Sequence, residues 1–309
     1  MLYEESGVIV VDKPRDMTSA KVVAILKTLL KAQKIGHAGT LDPAATGVLV
    51  CCVNRATRLA RFFLHGTKKY EAVLYLGVKT DTQDATGKII ATADGTKCSQ
   101  MAIEAAFNQF KGTQKQIPPV YSALKHHGVS LYKLARRGVP VQKPARRIFI
   151  SEIKVLEVAL PEIRFVVECS AGTYIRTLCD NIGDNLGCGG HLKELKRIES
   201  SGFGIHEALT LPLIEELAFN GRLSDRIIKM ADALKQIPRY VADHVVTNKV
   251  RHGRLLQKSD LNWDRSQIEE NRINGFIKVV TPQNDLLAVV KYSPKKEKFS
   301  YCCSFPNHN

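Results

Sequence analysis

The residues of this chain best suited to chemistry stand together in Gly36-His37-Ala38-Gly39-Thr40-Leu41-Asp42-Pro43, followed by Gly47-Val48-Leu49-Val50. Two glycines, a histidine, a threonine and a carboxylate lie between a helical pattern and an apolar run, which predicts a surface loop held by regular elements on both sides. Pro43 biases Asp42 away from helical backbone, so its carboxylate is expected to project from a turn. There it can serve as a nucleophile or as half of an ion pair. Aspartate before proline is also a common turn former, and these eight residues alone leave both readings open.

The charge balance asks for a polyanionic partner. The 309 residues carry 45 Lys and Arg against 30 Asp and Glu, a formal charge of +15, and nucleic acid is the first candidate. The excess is concentrated. Residues 111 to 147 hold Lys111, Lys115, Lys125, Lys133, Arg136, Arg137, Lys143, Arg146 and Arg147 and no acidic residue, with His126, His127, Tyr121 and Tyr132 interleaved. A solvated face is the plain account of such a run, and phosphate contact the stronger one. None of the eight cysteines has the two-residue spacing of a zinc knuckle or redox motif, so no metal is expected. Without a leader pattern or a long apolar run, the chain is expected to be soluble and cytoplasmic, with no membrane partner.

The elements that position these residues follow from periodicity. Gly7 to Val11 reads as a buried strand stopped by Asp12-Lys13-Pro14. A helix capped by Thr18 or Ser19 follows, with Val22, Val23, Ile25, Leu26, Leu29 and Leu30 on one side, and is predicted to run to Gly36. Val48 to Val53 reads as a strand, Arg55 to Leu64 as a helix and Tyr70 to Gly77 as a strand. The acidic stretch Asp81 to Gly87 lacks EF-hand spacing and reads as a polar turn before a strand at Lys88 to Thr92. Ser99 caps a helix ended by Gly112, Pro118-Pro119 excludes a regular helix from Gln116 to Lys125, and Ser130 to Arg137 fits a short one. Arg147 to Leu156 and Glu162 to Ser170 alternate like neighbouring antiparallel strands. Ala171-Gly172-Thr173 then turns into a helix carrying Arg176 on its first turn. Lys193, Lys196 and Arg197 form a basic spot. Helices are expected at Pro212 to Phe219 and Ser224 to Leu234, and Pro238 marks a boundary. Beyond Ala242 a short helix and strands near Gly275 to Thr281 and Leu286 to Tyr292 suggest a small β domain.

Four blocks in order, Gly36 to Pro43, Lys69-Tyr70, Gln116-Ile117-Pro118-Pro119-Val120-Tyr121-Ser122-Ala123 and Gly172-Thr173-Tyr174-Ile175-Arg176, resemble the TruB family of tRNA pseudouridine synthases over residues 7 to about 205. The tail resembles, more weakly, the small RNA-binding PUA domain. The resemblance implies an α+β pseudouridine synthase fold around a mixed, mostly antiparallel sheet. It divides the chain into a catalytic domain at 1–238, with a basic RNA-gripping insertion at about 111–147, and a PUA-like domain at 242–309. It implies a monomer that isomerises the T-loop uridine of tRNA, position 55, without a cofactor. Asp42 would act at ribose C1′, with Arg176 holding its charge and Tyr70 packing on the flipped uracil. His37 would enter the space the base leaves, Tyr174 would wall the pocket, and Leu195, or alternatively Leu192, would match the family's active-site leucine. Lys125, Arg136, Arg137, Arg146 and Arg147 would meet phosphates.

The main rival is a non-catalytic RNA binder, since Gly36-His37-Ala38-Gly39 is a Gly-x-x-Gly loop of the kind KH domains place on RNA backbones. The Leu-Asp-Pro that follows, and Tyr70 and Arg176 far downstream, argue against it. A second rival keeps the synthase fold but uses it to refold RNA without turnover.

Overall fold

The computed structural model describes residues 4–261 and 275–305; the rest of the expected 242–309 domain, 262–274 and 306–309, lies outside the described residues. The strand Gly7–Lys13 pairs antiparallel with Thr46–Val53 along its whole length, from Gly7 opposite Val53 to Lys13 opposite Gly47. Both are buried on two faces, which is why they read as continuous apolar runs. Val8, Val10, Val48, Val50 and Cys52 enter one core. Ile9, Val11, Leu49, Cys51 and Val53 enter another, against Val22, Leu26 and Leu30 of the helix Ser19–Leu30.

A second group of strands alternates instead. Lys68–Leu76, Glu162–Cys169 and Arg146–Ala159 run antiparallel, with Gly112–Gln116 at the outer edge. Tyr70, Ala72, Leu74, Ile163, Phe165 and Val167 share a core with Ile103 and Phe107 of the helix Gln100–Gln109 and Leu178 and Ile182 of the helix Ile175–Asn185. Most intervening residues, among them Lys69, Glu71 and Arg164 but not the buried Val73, stay partly or fully in solvent, as expected of a sheet wet on one face.

The strand Gly190–Ser200 joins the two groups. It lies antiparallel to Lys68–Leu76 and meets Thr46–Val53 in parallel only at Lys196 opposite Thr46 and Arg197 opposite Gly47. The result is the mixed, mostly antiparallel sheet expected. A separate five-stranded sheet has the spatial order Arg239–Val241, Phe276–Val280, Leu286–Ser293, Lys298–Ser304 and Leu256–Gln257. It packs on the main body through Val280, Leu286, Val289, Cys303 and Phe305, which share a core with Ala56, Leu59 and Phe63.

Several elements differ from the sequence expectation. The first helix ends at Leu30, not Gly36: Lys31 turns left-handed at φ 50° and its N–H caps the Lys27 and Thr28 carbonyls. Released from the helix, Ile35–His37 forms a short strand on Cys51 to Val53. Gly36 and His37 are therefore committed to a sheet, not to a free Gly-x-x-Gly loop. Asn54 to Leu59 is a 3-10 turn before the helix Ala60–Leu64. Ser224 to Leu234 is no single helix, because Ile228 and Lys229 pair with Val8 and Gly7 and only one helical turn, Met230–Ala233, follows.

Candidate active site

The loop that carries Asp42 is fixed from both sides. The Leu41 N–H donates to Ser19 Oγ at 2.9 Å, and that hydroxyl donates back to the Leu41 carbonyl at 3.1 Å. Lys13 Nζ donates to the carbonyls of Pro14, Met17 and Pro43 at 2.8, 2.7 and 3.0 Å, and the Ala45 N–H closes the turn on the Asp42 carbonyl at 3.1 Å. Asp42 is thus held at backbone level while 44% of its side chain remains exposed. It is a built turn, and its carboxylate faces outward with a partner.

That partner is Arg176, whose side chain is only 6% exposed and whose Nε lies 3.0 Å from Asp42 Oδ2. The rest of the guanidinium is also occupied. Nη1 donates to the Thr82 carbonyl at 3.1 Å and faces Asp84 Oδ2 at 3.5 Å, and Nη2 donates to the Tyr121 carbonyl at 2.8 Å. A planar fork with fixed donors is suited to such simultaneous contacts. The first turn of a helix is a poor place for a cation on macrodipole grounds; here two carboxylates and two carbonyls offset that.

The acidic turn is therefore part of the site, which sequence reading missed. Asp84 accepts from Thr82 Oγ1, Thr86 N–H and Thr86 Oγ1 at 2.7, 3.0 and 2.6 Å. The turn is docked on the central strand by Leu192 N–H to the Gln83 carbonyl and Ala85 N–H to the Leu192 carbonyl, both 3.0 Å. Leu192 thereby braces this turn from its backbone. Leu195 is half-buried at the edge of the core that contains Tyr70 and Leu41 and stands opposite Ala72, two positions from the Tyr70–Arg197 pair.

Arg197 is the other residue the sequence misplaced. Of the basic spot expected at Lys193, Lys196 and Arg197 it is the buried member, 1% exposed. Nε donates to the Val48 carbonyl at 2.7 Å and Nη2 to the Gly39 carbonyl at 3.0 Å, gripping the loop before and after Asp42. Its charge also acts on the neighbouring Tyr70 phenol. Gly47, at φ +99°, meets this strand so closely that a Cβ would overlap the Arg197 backbone, so only glycine fits. In the sequence the burial of Arg197 is obscured by the two lysines near it, Lys193 and Lys196.

Burial keeps the phenol of Tyr70 above its ordinary pKa, so it remains protonated at neutral pH. Burial and the Arg197 charge lower His37, leaving a neutral imidazole whose buried Nδ1 has no hydrogen-bond partner among the described residues. Tyr174 is fixed through its backbone, its N–H donating to Gln116 Oε1 at 2.8 Å while Gln116 Nε2 donates to its carbonyl at 3.0 Å. The Arg146 guanidinium lies 4.7 Å from the Tyr174 ring centre and donates to the Gly172 carbonyl. Arg146 is thus turned into the site wall, unlike its neighbour Arg147, which is exposed. Lys125, Arg136 and Arg137 lie on the insertion, in the Lys125–His126 and Val129–Ser130 hairpin and the helix Leu131–Arg136 with its cap. Among the described residues no cluster of His, Cys, Asp or Glu fit for a metal occurs, and no helix is long and apolar enough to cross a membrane.

Two lysines under the site make a pH prediction. Burial lowers Lys13 to about 8, partly opposed by Asp42, and lowers Lys68, which holds the carbonyls of Phe63, Leu64 and Gly66, also to about 8. The unfolded chain keeps these protons up to the ordinary value of 10.5, so between those limits it binds more protons than the folded one. Their contribution to stability therefore rises with pH across that window and is lost as pH falls through 8. Urea unfolding at pH 8 and pH 10 should show a smaller increment for Lys68→Met than for wild type, and an equal increment would contradict the assignment.

The comparisons with known proteins fall on the same segments. Residues 27–175 match the model of the TruB family pseudouridylate synthase (N terminal domain) and residues 176–235 that of the tRNA pseudouridylate synthase B C-terminal domain. The chain is similar to proteins named tRNA pseudouridine synthase B from Syntrophotalea carbinolica (46% identical, covering 96% of this chain and 94% of the relative) and Syntrophobacter fumaroxidans (38% identical, 95% of each). Among solved structures it resembles a chain of a Cbf5–Nop10–Gar1 complex, with TM-score 0.73 and 28% identity over 93% of this chain and 78% of that one. It also resembles one from an H/ACA RNP bound to a substrate RNA containing 2′-deoxyuridine, with TM-score 0.71 and 25% identity over 98% and 84%.

Proposed function

The chain belongs to the TruB family of tRNA pseudouridine synthases, and we propose that the Asp42–Arg176 pair is the centre at which it isomerises the T-loop uridine of tRNA, position 55, to pseudouridine. The reaction breaks the ribose C1′ to uracil N1 bond and forms a bond from C1′ to C5. One carboxylate suffices at C1′, as nucleophile or as stabiliser of positive charge, because the uracil is not released but rotates and reattaches. The observation that carries the assignment is the 3.0 Å pairing of a half-exposed Asp42 with a buried, fully engaged Arg176. The guanidinium holds the carboxylate in one orientation.

The target base must leave its stack before it can react. Tyr70, a neutral phenol opposite Arg197, offers a face for the uracil, and Leu195 lies beside it on the next strand. His37 is neutral and carries an unpartnered buried nitrogen, suited to the space left in the T-loop. Tyr174 walls the pocket with Arg146 behind it. Residues 1–238 form the catalytic domain and 242–309 a PUA-like RNA-binding domain, acting together as a cytoplasmic monomer.

The test is to incubate the purified protein, without metal or nucleotide, with an unmodified T-arm stem-loop and to map pseudouridine by site-resolved chemistry. Conversion of the single T-loop uridine is expected; a stem-loop bound for hours and left unchanged would instead favour the RNA-refolding reading.

The insertion makes a separate prediction. Lys125, Arg136, Arg137 and Arg147 have no carboxylate partner among the described ion pairs, so they are available to phosphates. Replacing Lys125, Arg136 and Arg137 together by Ala should reduce the slope of log affinity against log salt by about 2 to 3, at roughly 0.7 to 0.9 per phosphate contact. The saturated rate should stay near wild type, and filter binding at a series of salt concentrations measures the slope.

A further inference from the structure

Cys98 and Cys188 are 90 residues apart in the chain and 3.9 Å apart at sulfur. They differ from most of the other cysteines: Cys51, Cys52, Cys169, Cys179 and Cys303 are buried, whereas both members of this pair are partly exposed. Each sits in a turn at the end of a helix. Cys98 precedes Ser99, which caps Gln100–Gln109, and Cys188 lies between Gly187 and Gly189, both at positive φ, after Ile175–Asn185. The two turns are anchored on one residue, since the Ala93 N–H donates to the Gly77 carbonyl at 2.8 Å and the Gly77 N–H to the Gly189 carbonyl at 3.0 Å. A sulfur–sulfur bond of about 2.05 Å is therefore within reach of side-chain rotation.

We propose that Cys98 and Cys188 are a redox-modification site, at which a hydroperoxide forms an intramolecular disulfide that staples the two turns together. One thiolate attacks the peroxide, displacing an alcohol or water and becoming a sulfenic acid; the second thiol displaces water from that sulfur. In total two thiols lose two protons and two electrons, and the peroxide is reduced to an alcohol, or water, and one further water. Burial and the neighbouring Cys188 push the Cys98 thiol up, so the thiolate fraction is small and the reaction slow.

The staple has a definite consequence. The loop it closes contains the whole basic insertion, Tyr174 and Arg176, and a crosslink across so long a loop restricts the unfolded chain strongly. In the folded state the bond joins helices that already share a core through Ile103, Phe107, Leu178 and Ile182, with Asn185 Nδ2 donating to Gln109 Oε1 at 3.0 Å. Oxidation thus stabilises the protein and leaves its catalytic geometry in place.

The experiment treats the reduced full chain with hydrogen peroxide for hours, alkylates the remaining thiols after unfolding, and maps the products by mass spectrometry. The expected result is a mass lower by two hydrogens, a peptide linking Cys98 to Cys188, a melting temperature raised by several degrees and restored by reductant, and undiminished turnover of the T-arm stem-loop. Cys98→Ser and Cys188→Ser should each lose the link and the rise. Oxygen added at single cysteines without a link, a Cys302–Cys303 product in its place, or a linked protein that melts no higher or turns over more slowly would each overturn the proposal.

Discussion

Asp42→Asn is expected to lower turnover of the T-arm stem-loop by about 10⁴-fold or more, the scale on which loss of a covalent nucleophile acts in other enzymes, with little change in RNA affinity. Asparagine keeps the shape of the side chain and an oxygen that can accept from Arg176 Nε, but it has neither the charge nor the nucleophilicity required at C1′. The loop should survive, because Leu41 is held by Ser19, Pro43 by Lys13 and Gly39 by Arg197, none of which contacts the Asp42 carboxylate. The stability cost should stay near 1 kcal/mol, as for a partly exposed charged hydrogen bond. Single-turnover conversion alongside filter binding separates the two effects. A variant that converts the uridine within tenfold of wild type would remove Asp42 from the chemistry, while an inactive wild type would call the substrate into question instead.

How much of this was legible in the sequence follows from which physical signals are local. The paired strands Gly7–Lys13 and Thr46–Val53 announce themselves as apolar runs because both faces are covered, and Glu162–Cys169 announces itself by alternation because one face is wet. Asp42, Tyr70 and Arg176 could be singled out because whole motifs surround them. What brings them together is not local. Arg197 looks like a surface cation because Lys193 and Lys196 stand near it, yet those project from a strand whose Arg197 side chain is buried. Two register shifts in that strand, between Leu192 and Glu194 and between Arg197 and Glu199, break the alternation that would have revealed it.

The acidic turn was unreadable for a related reason. Its role depends on Leu192, more than a hundred positions downstream, and on an Arg176 guanidinium aimed at it from another helix. A row of Asp and Thr residues satisfies its own backbone equally well in a free turn. The misread start of the sheet at Ile35–His37 is likewise tertiary. Its residues prolong the preceding helix on pattern alone, and only the waiting edge of Thr46–Val53 makes a strand the better choice.

Arg176→Lys is expected to cost about 10² to 10³ in turnover, although it preserves the charge. Magnitudes of this order accompany loss of one preorganised polar contact at a reacting centre. Arginine here meets Asp42, Thr82, Asp84 and Tyr121 with three different nitrogens, whereas a lysine ammonium is a single point that cannot span them. Reaching Asp42, it would abandon the Tyr121 carbonyl and loosen the start of the basic insertion; reaching Asp84, it would leave Asp42 free to rotate. Folding stability should fall by about 2 kcal/mol from buried acceptors left without donors. Denaturant unfolding gives that loss, and kcat measured with saturating RNA isolates the chemical one. If charge alone were the requirement, Lys would keep kcat within tenfold while Arg176→Met abolished it. If orientation is the requirement, both substitutions fail and Asp84→Asn, which removes only the far side of the brace, produces a smaller defect in the same direction.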